Sequence, residues 1–289
     1  MPEPLQVELC HTDARFFALA GECLAAFPAD HALIEDVLAR GRGGPGRDDR
    51  AFHLLVVRQE KKALGFAVFA LPRTVFLSVM HWSAATALAA DMARRGMIVP
   101  TLIGAEPGVD AFASSWTEAT GRQFWCRHNL VLYETSIVIE PPAVDGALRC
   151  AEPSELNTLV QWQEAFVRET KVSDDLRLVR RRVAEKLEDK RLYVWDSDGP
   201  KACAAHSLKR LGGARLYGVY TPPEWRRQGY GRGMIAQLTQ RLLDSGHERC
   251  VLFADAQNTA SNHLYKRLGY RACAQWKQLE QEEDGPSPD

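Results

Sequence analysis

The chain has 289 residues, 46% of them hydrophobic and 25% charged, with a formal net charge of -1. A length about twice that of an ordinary single domain points to two domains, with ample apolar material for their cores. The near-neutral balance argues against a chain built to neutralise nucleic-acid phosphates, and no uncharged apolar stretch reaches the ~20 residues of a membrane-spanning helix.

Met1-Pro2-Glu3-Pro4 shows no cationic segment followed by an apolar run, so no signal peptide is expected. The seven cysteines are odd in number, scattered and without a Cys-x-x-Cys pair, which suits a reducing compartment. A cytoplasmic protein is the expectation. The eight histidines have no i, i+4 pair and no adjoining cysteine cluster, so no metal is expected.

Apolar spacing then assigns elements in chain order. Gly41 to Asp49, rich in Gly, Arg, Pro and Asp, reads as a loop. Strands follow at Leu54–Val57, Gly65–Ala70 and Val75–Val79, a helix at Ala84–Arg94, and a strand at Ile98–Ile103. A helix at Val109–Thr120 ends on Gly121, and the runs Leu130–Tyr133 and Ser136–Ile139 close the half. Glu140-Pro141-Pro142-Ala143-Val144-Asp145-Gly146 reads as a linker. In the second half, helices at Leu156–Arg168 and Leu176–Glu188 precede strands at Leu192–Trp195, Ala202–Leu208 and Ala214–Val219. Leu211-Gly212-Gly213 is the hairpin turn before the last of these. A helix from about Gly231 to Leu243, a strand Cys250–Ala254, a helix Thr259–Leu268 and a strand after Gly269 complete the order. The tail from Gln281 to Asp289, acidic and proline-bearing, reads as disordered. Both halves thus share one order of elements, and each closing helix is followed by Gly, which suits a left-handed cap. A diverged duplication explains this; two unrelated α/β halves remain the alternative.

One segment carries chemistry. From Leu216 to Gly233 a strand runs into a Pro-Pro turn, then a basic Gly-rich loop, then a helix. Gly229 and Gly231 let the backbone curl with positive φ and approach a ligand closely. The amides of Gln228 to Arg232 lie unpaired at the positive end of that helix, which suits a diphosphate. Arg226, Arg227 and Arg232 add charge. The plain alternative is a surface turn into a solvated basic helix. A second segment follows the strand Val251–Ala254: Asn258 is a good cap for the next helix, and Tyr265 lies two turns beyond it on nearly the same face. A core aromatic is its plain reading.

Together the two segments resemble the Gcn5-related N-acetyltransferase superfamily. Arg226-x-x-Gly229-x-Gly231 is similar to its Arg/Gln-x-x-Gly-x-Gly/Ala signature. Asn258, Asn262, Tyr265 and Leu268-Gly269-Tyr270 are similar to its downstream Asn, Tyr and Gly-aromatic segment, with a helix and a strand between the two motifs. The resemblance implies an α/β (α+β) chain of two tandem domains of this fold, each a mostly antiparallel mixed sheet flanked by helices. It divides the chain at residues 1–140, a linker at 141–147, a catalytic domain at 148–280 and a tail at 281–289. Acetyl-coenzyme A, or another acyl-coenzyme A, is the implied cosubstrate, and a small-molecule amine the implied partner. Val219, Tyr220 and Thr221 are implied to pair their backbone with the pantetheine arm. Arg226, Arg227, Gln228, Gly229, Tyr230, Gly231 and Arg232 are implied to hold the diphosphate, Asn258 to hold the pantetheine from the other side, and Tyr265 to act as general acid to the departing thiolate. The general base stays open among Asp255, Glu224 and His206.

The first half departs from the family pattern. Val75–Val79 is followed by Met80-His81-Trp82-Ser83 with no Arg-x-x-Gly-x-Gly, so no coenzyme is expected there. A dinucleotide-binding half is disfavoured because Met234 stands where the third Gly or Ala is required and a long insertion precedes Gly229. A non-catalytic acyl-coenzyme A sensor and a transferase using charged tRNA remain alternatives.

Overall fold

The computed structural model describes residues 4–40, 52–70, 74–171, 176–207 and 213–282. The expected Gly41–Asp49 loop, Leu208, Leu211 and Gly212 of the expected strand and hairpin turn, and the tail from residue 283 lie outside the described residues. The chain divides into two compact units. The first comprises Met1–Leu132, Ala254–Asn258 and Ala272–Asp289, the second Tyr133–Phe253 and Thr259–Arg271.

In the first unit β1 (Gln6–Cys10), α1 (Asp13–Ala26) and α2 (Pro28–Arg40) precede β2 (Phe52–Gln59), β3 (Lys62–Ala70) and β4 (Thr74–Leu77). Then come α3 (Trp82–Arg94), β5 (Thr101–Ala105), α4 (Gly108–Thr120) and β6 (Phe124–Thr135), whose last residues fall in the second unit. Sequence spacing predicts none of β1, α1 and α2. Yet α1 has a local cause: the Thr12 side chain accepts from the Arg15 N–H, and Phe16, Ala20 and Leu24 recur on its buried face. β4 stops two residues short of the expected Val79. The Ser78 N–H donates to the Phe66 carbonyl and the Val79 N–H to His31 Nε2, so the chain turns there. β5 starts late, and Ile98 is exposed. As expected, α4 ends in Gly121, a left-handed cap at φ 74° whose N–H returns to Thr117.

The strands pair in the order β1-β2-β3-β4-β5, antiparallel except for the parallel β4–β5 pair. The chain's last strand, β12 (Arg271–Gln281), joins this unit instead of closing the second half. Trp276 lies opposite Ala105 and Glu280 opposite Thr101, antiparallel to β5. Trp276 is 1% exposed and its indole N–H donates to Asp30. Gln281, expected in the tail, is still strand.

His31 is fully buried in this unit, with Nδ1 2.9 Å from the Leu24 carbonyl and Nε2 accepting from Val79. Both ring nitrogens are thus used by the neutral tautomer. Burial pushes its pKa down to about 4, with the Leu24 bond acting in the opposite direction. The folded value lies below the unfolded one, so its contribution is complete above about pH 6.5 and is lost as pH falls through about 4, amounting to about 3 kcal/mol in all. His31→Gln should therefore flatten the loss of stability between pH 6.5 and 4, read by denaturant melts across that range. An equally steep loss in the variant would contradict it.

The second unit holds β7 (Ala147–Cys150), α5 (Leu156–Thr170), α6 (Leu176–Glu188), β8 (Leu192–Asp196) and β9 (Pro200–His206). They are followed by β10 (Gly213–Tyr220), α7 (Tyr230–Asp244), β11 (Arg249–Asp255), whose last two residues fall in the first unit, and α8 (Thr259–Arg267). Its strand order is β7-β8-β9-β10-β11. Pairing is antiparallel up to β10 and parallel between β10 and β11. Leu159, Val160, Val179, Val183 and Leu187 of α5 and α6 bury against Leu192, Val194, Cys203, Ala205 and Tyr220. Strand alternation turns Tyr193 and Trp195 to the other face, where Arg241 of α7 lies over the Tyr193 ring and Gly233 against Trp195.

The expected linker is pinned to this unit. Asp145 accepts from the Trp195 indole through its carbonyl and from the Ser197 hydroxyl through its carboxylate, and Val144 packs at Gly233. Ser136–Ile139 is not a strand: the Thr135 hydroxyl bonds the Ile137 and Gly269 carbonyls, and Ile137 and Ile139 are exposed. No described helix is long and apolar enough to cross a membrane.

Candidate active site

The site grows out of two strands that part. β10 pairs β11 at Gly213–Arg249, Ala214–Cys250 and Arg215–Val251 and no further, although β10 continues to Tyr220 and β11 to Asp255. On its other edge β10 stays with β9, where a register break falls between Tyr217 and Tyr220. Gly218 makes that break possible with φ +62°, a conformation open to glycine. Its carbonyl accepts from the Gln163 side chain at 3.1 Å. A trans peptide holds each C=O opposite to the following N–H, so the Val219 N–H points away from α5. The matching strands of the first unit, β4 and β5, leave no such opening. They pair as far as Phe76–Ile103, β4 ends at Leu77, and a methyl on Gly104 would lie 3.0 Å from Leu77 Cβ.

Between β10 and α7 the chain turns through Thr221 and Pro222 into a short turn at Pro223–Trp225. Arg227 and Gly229 take positive φ of 64° and 92°. Gly231 does not, contrary to expectation: it is already helical, and its missing side chain matters because a Cβ would lie 3.0 Å from Thr221 Oγ1. Among the described residues none accepts a hydrogen bond from the main-chain N–H groups of Arg227 to Arg232. The first to find a carbonyl is Gly233, bonded to Gly229. Unpaired amides at a helix start concentrate partial positive charge.

The arginines divide. Arg226 turns back, donating to the Thr221 carbonyl at 2.8 Å and to the Glu169 carboxylate at 2.6 Å. Its charge is thereby matched. Arg232 gives one Nη to the Pro142 carbonyl, and among the described residues its buried Nε has no acceptor. Arg227 is exposed, with no ion-pair partner among the described residues. Gln228 folds its amide onto the Glu224 carbonyl. Tyr220 buries its ring in the α5–α6 face and bonds Glu169 through its hydroxyl at 2.8 Å, so only its backbone remains for a ligand. Tyr230, half-buried, opens α7.

Tyr265 shares the second unit with this loop. It is 6% exposed, its ring 6.0 Å from that of Tyr133 and 5.9 Å from that of Tyr270. Burial pushes its phenol up to about 12, while a hydrogen bond with Ser261 acts in the opposite direction. Such a phenol keeps its proton and offers a hydrogen bond more readily than it gives the proton away.

The base candidates are less favourably set. Glu224 is exposed in the turn. His206 lies opposite Leu216, roughly 13 Å along the strand from Tyr220 at ~3.3 Å per residue. Its Nδ1 bonds the Ser207 carbonyl. Asp255 and Asn258 group with the first unit. There the Asp255 carboxylate accepts from His128 Nδ1 and from the Gln257 N–H, both at 2.8 Å, and the Asn258 N–H donates to the Asp255 carbonyl. Sequence reasoning missed Gln163, Glu169 and His128. No local signal marks them, since each partner lies on a distant element. Among the described residues no group of three or more His, Cys, Asp and Glu is placed to hold a metal ion.

Comparison with known proteins bears on the same stretch. Residues 195–279 match the family described as FR47-like protein. The chain is similar to a mycothiol acetyltransferase of Clavibacter sepedonicus, 32% identical over 84 residues that make up 29% of this chain and 27% of that protein. It is also similar to the L-amino acid N-acyltransferase MnaT of Escherichia coli (strain K12), 33% identical over 63 residues, 22% of this chain and 37% of that one. The similarity thus spans well under half the length of either relative. Over the whole chain the fold matches the crystal structure of a GCN5-related N-acetyltransferase from Sphaerobacter thermophilus. That match has a TM-score of 0.65 and 17% identity, covering 100% of this chain and 98% of that one.

Proposed function

We propose that this chain, built as two tandem folds of the Gcn5-related N-acetyltransferase type, moves an acetyl or other short acyl group from acyl-coenzyme A to a small-molecule amine. The observation that carries this reading is the parting of β10 from β11 beside the unpaired amides of Arg227 to Arg232. An extended pantetheine arm fits an unpaired strand edge such as Val219 to Thr221. A diphosphate fits the helix start, where the Arg232 Nε lies buried without an acceptor among the described residues.

In the reaction the amine nitrogen attacks the thioester carbonyl carbon within a ternary complex. The C–S bond breaks, the amine loses a proton, and coenzyme A leaves as the thiol. The Val219 N–H is oriented to stabilise the carbonyl oxygen as negative charge develops on it. The Tyr265 hydroxyl hydrogen-bonds the departing sulfur, whose thiol has an ordinary pKa of about 8.5. The first half takes no coenzyme in this reading. Its β4 and β5 leave no opening, and at the start of α3 the His81 ring and carbonyl already accept from Ser83, Ala84 and Ala85. The acceptor class draws support from the amino-acid acyltransferase to which the chain is similar.

The test is thiol release from acetyl-coenzyme A over a panel of amino acids, amino sugars and polyamines. Amine-dependent release is expected. Tight coenzyme binding with no turnover on any amine would favour a sensor, a reading that the setting of Glu224 and His206 also favours. Absence of binding would sink both.

A further inference from the structure

We infer that Gln163 is a positioning residue for acyl transfer, holding the Gly218–Val219 peptide so that the Val219 N–H faces the acyl carbonyl. The inference rests on the reading above and begins from an oddity of α5. The face this helix buries consists of Leu159, Val160, Gln163 and Val167. All but one are apolar, and Leu159 and Val160 pack on an apolar strand surface. Gln163 is 7% exposed. A primary amide in such a place is unfavourable unless it is hydrogen-bonded, and a leucine would fill the space at no such cost. Its Nε2 makes a 3.1 Å bond to the Gly218 carbonyl and a 3.5 Å approach to Cys203 Sγ, a weak acceptor.

The partner is equally odd. A strand carbonyl normally bonds in the plane of the sheet to the neighbouring strand. That of Gly218 is bonded instead to a helix lying on the sheet face, so its peptide is rotated out of the ladder. Pairing with β9 breaks at this point. Glycine permits the turn at φ +62°, and a Cβ there would come within 2.9 Å of Gln163 Oε1. The two residues are therefore matched: the glycine allows the rotated peptide and the glutamine holds it. The rotation costs sheet pairing, and what it supplies is a fixed N–H directed away from α5 at the point where β10 has left β11. One preorganised donor at a developing oxyanion is worth about 10²–10³ in kcat. Cys203 is not the purpose of the bond, because burial raises its thiol to about 12 and keeps it inert.

The experiment follows the carbonyl of acetyl-coenzyme A labelled with ¹³C, by isotope-edited infrared spectroscopy of its complexes. In the wild type the carbonyl stretch should move to lower wavenumber on binding. In Gln163→Leu the shift should vanish, with unchanged affinity for coenzyme A. With an active amine, kcat should fall about 10²-fold while KM for acyl-coenzyme A holds. Gln163→Glu adds a readout that a filler of space would not give. Its protonated acid can donate to the Gly218 carbonyl and its carboxylate cannot, so the shift should return at low pH and fade as pH rises. The same variant serves if Gln163→Leu fails to fold. A shift as large in Gln163→Leu as in the wild type, or one in Gln163→Glu that ignores pH, overturns the inference. So does a wild type that binds acetyl-coenzyme A with no shift, which leaves the transferase reading standing. A wild type that does not bind acetyl-coenzyme A overturns both.

Discussion

Gly231→Val is expected to weaken coenzyme A binding at least about a hundredfold, close to 3 kcal/mol, while the protein remains folded. Its Cβ would meet Thr221 Oγ1 at 3.0 Å, and its methyl groups would stand over the helix start from which the unpaired amides project. A diphosphate kept from those amides loses charge-assisted hydrogen bonds worth about 1.5–3 kcal/mol each. Two such losses suffice. The fold is spared because Gly231 has helical φ, where valine is tolerated about as well as glycine or better. Gly229 is a poorer place to test the idea: at φ +92° any other residue adds backbone strain of about 1–3 kcal/mol, which confounds binding with stability. Titration calorimetry with coenzyme A, paired with thermal melts, separates the two effects. Native affinity in a well-folded Gly231→Val protein would remove the helix start as the diphosphate site.

Tyr265→Phe is expected to lower kcat by about 10²–10³-fold, the worth of one preorganised hydrogen-bond donor at developing charge, and to leave coenzyme affinity unchanged. The variant keeps the ring packed between Tyr133 and Tyr270 and gives up only the hydroxyl and its bond with Ser261, about 1 kcal/mol of stability. Burial fixes the sign of the pH effect. With its phenol raised to about 12, Tyr265 stays protonated through neutral and mildly alkaline conditions. Loss of its proton should therefore contribute no falling limb to the kcat profile below about pH 11. A limb between pH 8 and 10 that disappears in the phenylalanine variant would refute this account, and an unchanged kcat would remove the residue from the mechanism. The pH expectation parts from a simple general acid. A phenol near 12 is a poor proton donor to a thiolate of ordinary pKa about 8.5, yet it remains a good hydrogen-bond donor to it.

The arginines show how a motif can be right in outline and incomplete in detail. Read along the chain, Arg226, Arg227 and Arg232 are equivalent sources of charge for an anion. In the fold Arg226 is matched by Glu169, a residue 57 positions away, and ties the loop to the end of α5. This pair is about two-fifths exposed on both sides, and such pairs contribute little to stability. It removes one charge from the loop and leaves Arg227 and the Nε of Arg232 for a ligand.

What the sequence determined by itself are the features with short-range causes. Apolar spacing yields α6 at Leu176–Glu188 to the residue, because a helix face repeats within a single turn. Gly121 ends α4, and the strand, turn and helix around Gly229 stand where the motif puts them, because φ preferences and unpaired helix amides are local. Tertiary structure alone decided the rest. It assigned β12 to β5, drew the Gly218 carbonyl to Gln163 and set Asp255 against His128. Each of these needs a partner separated by tens to hundreds of residues, and a single sequence with one local periodicity holds no term for such a distance. The hydrogen-bonding demand of a buried polar group is met by whatever the fold brings beside it.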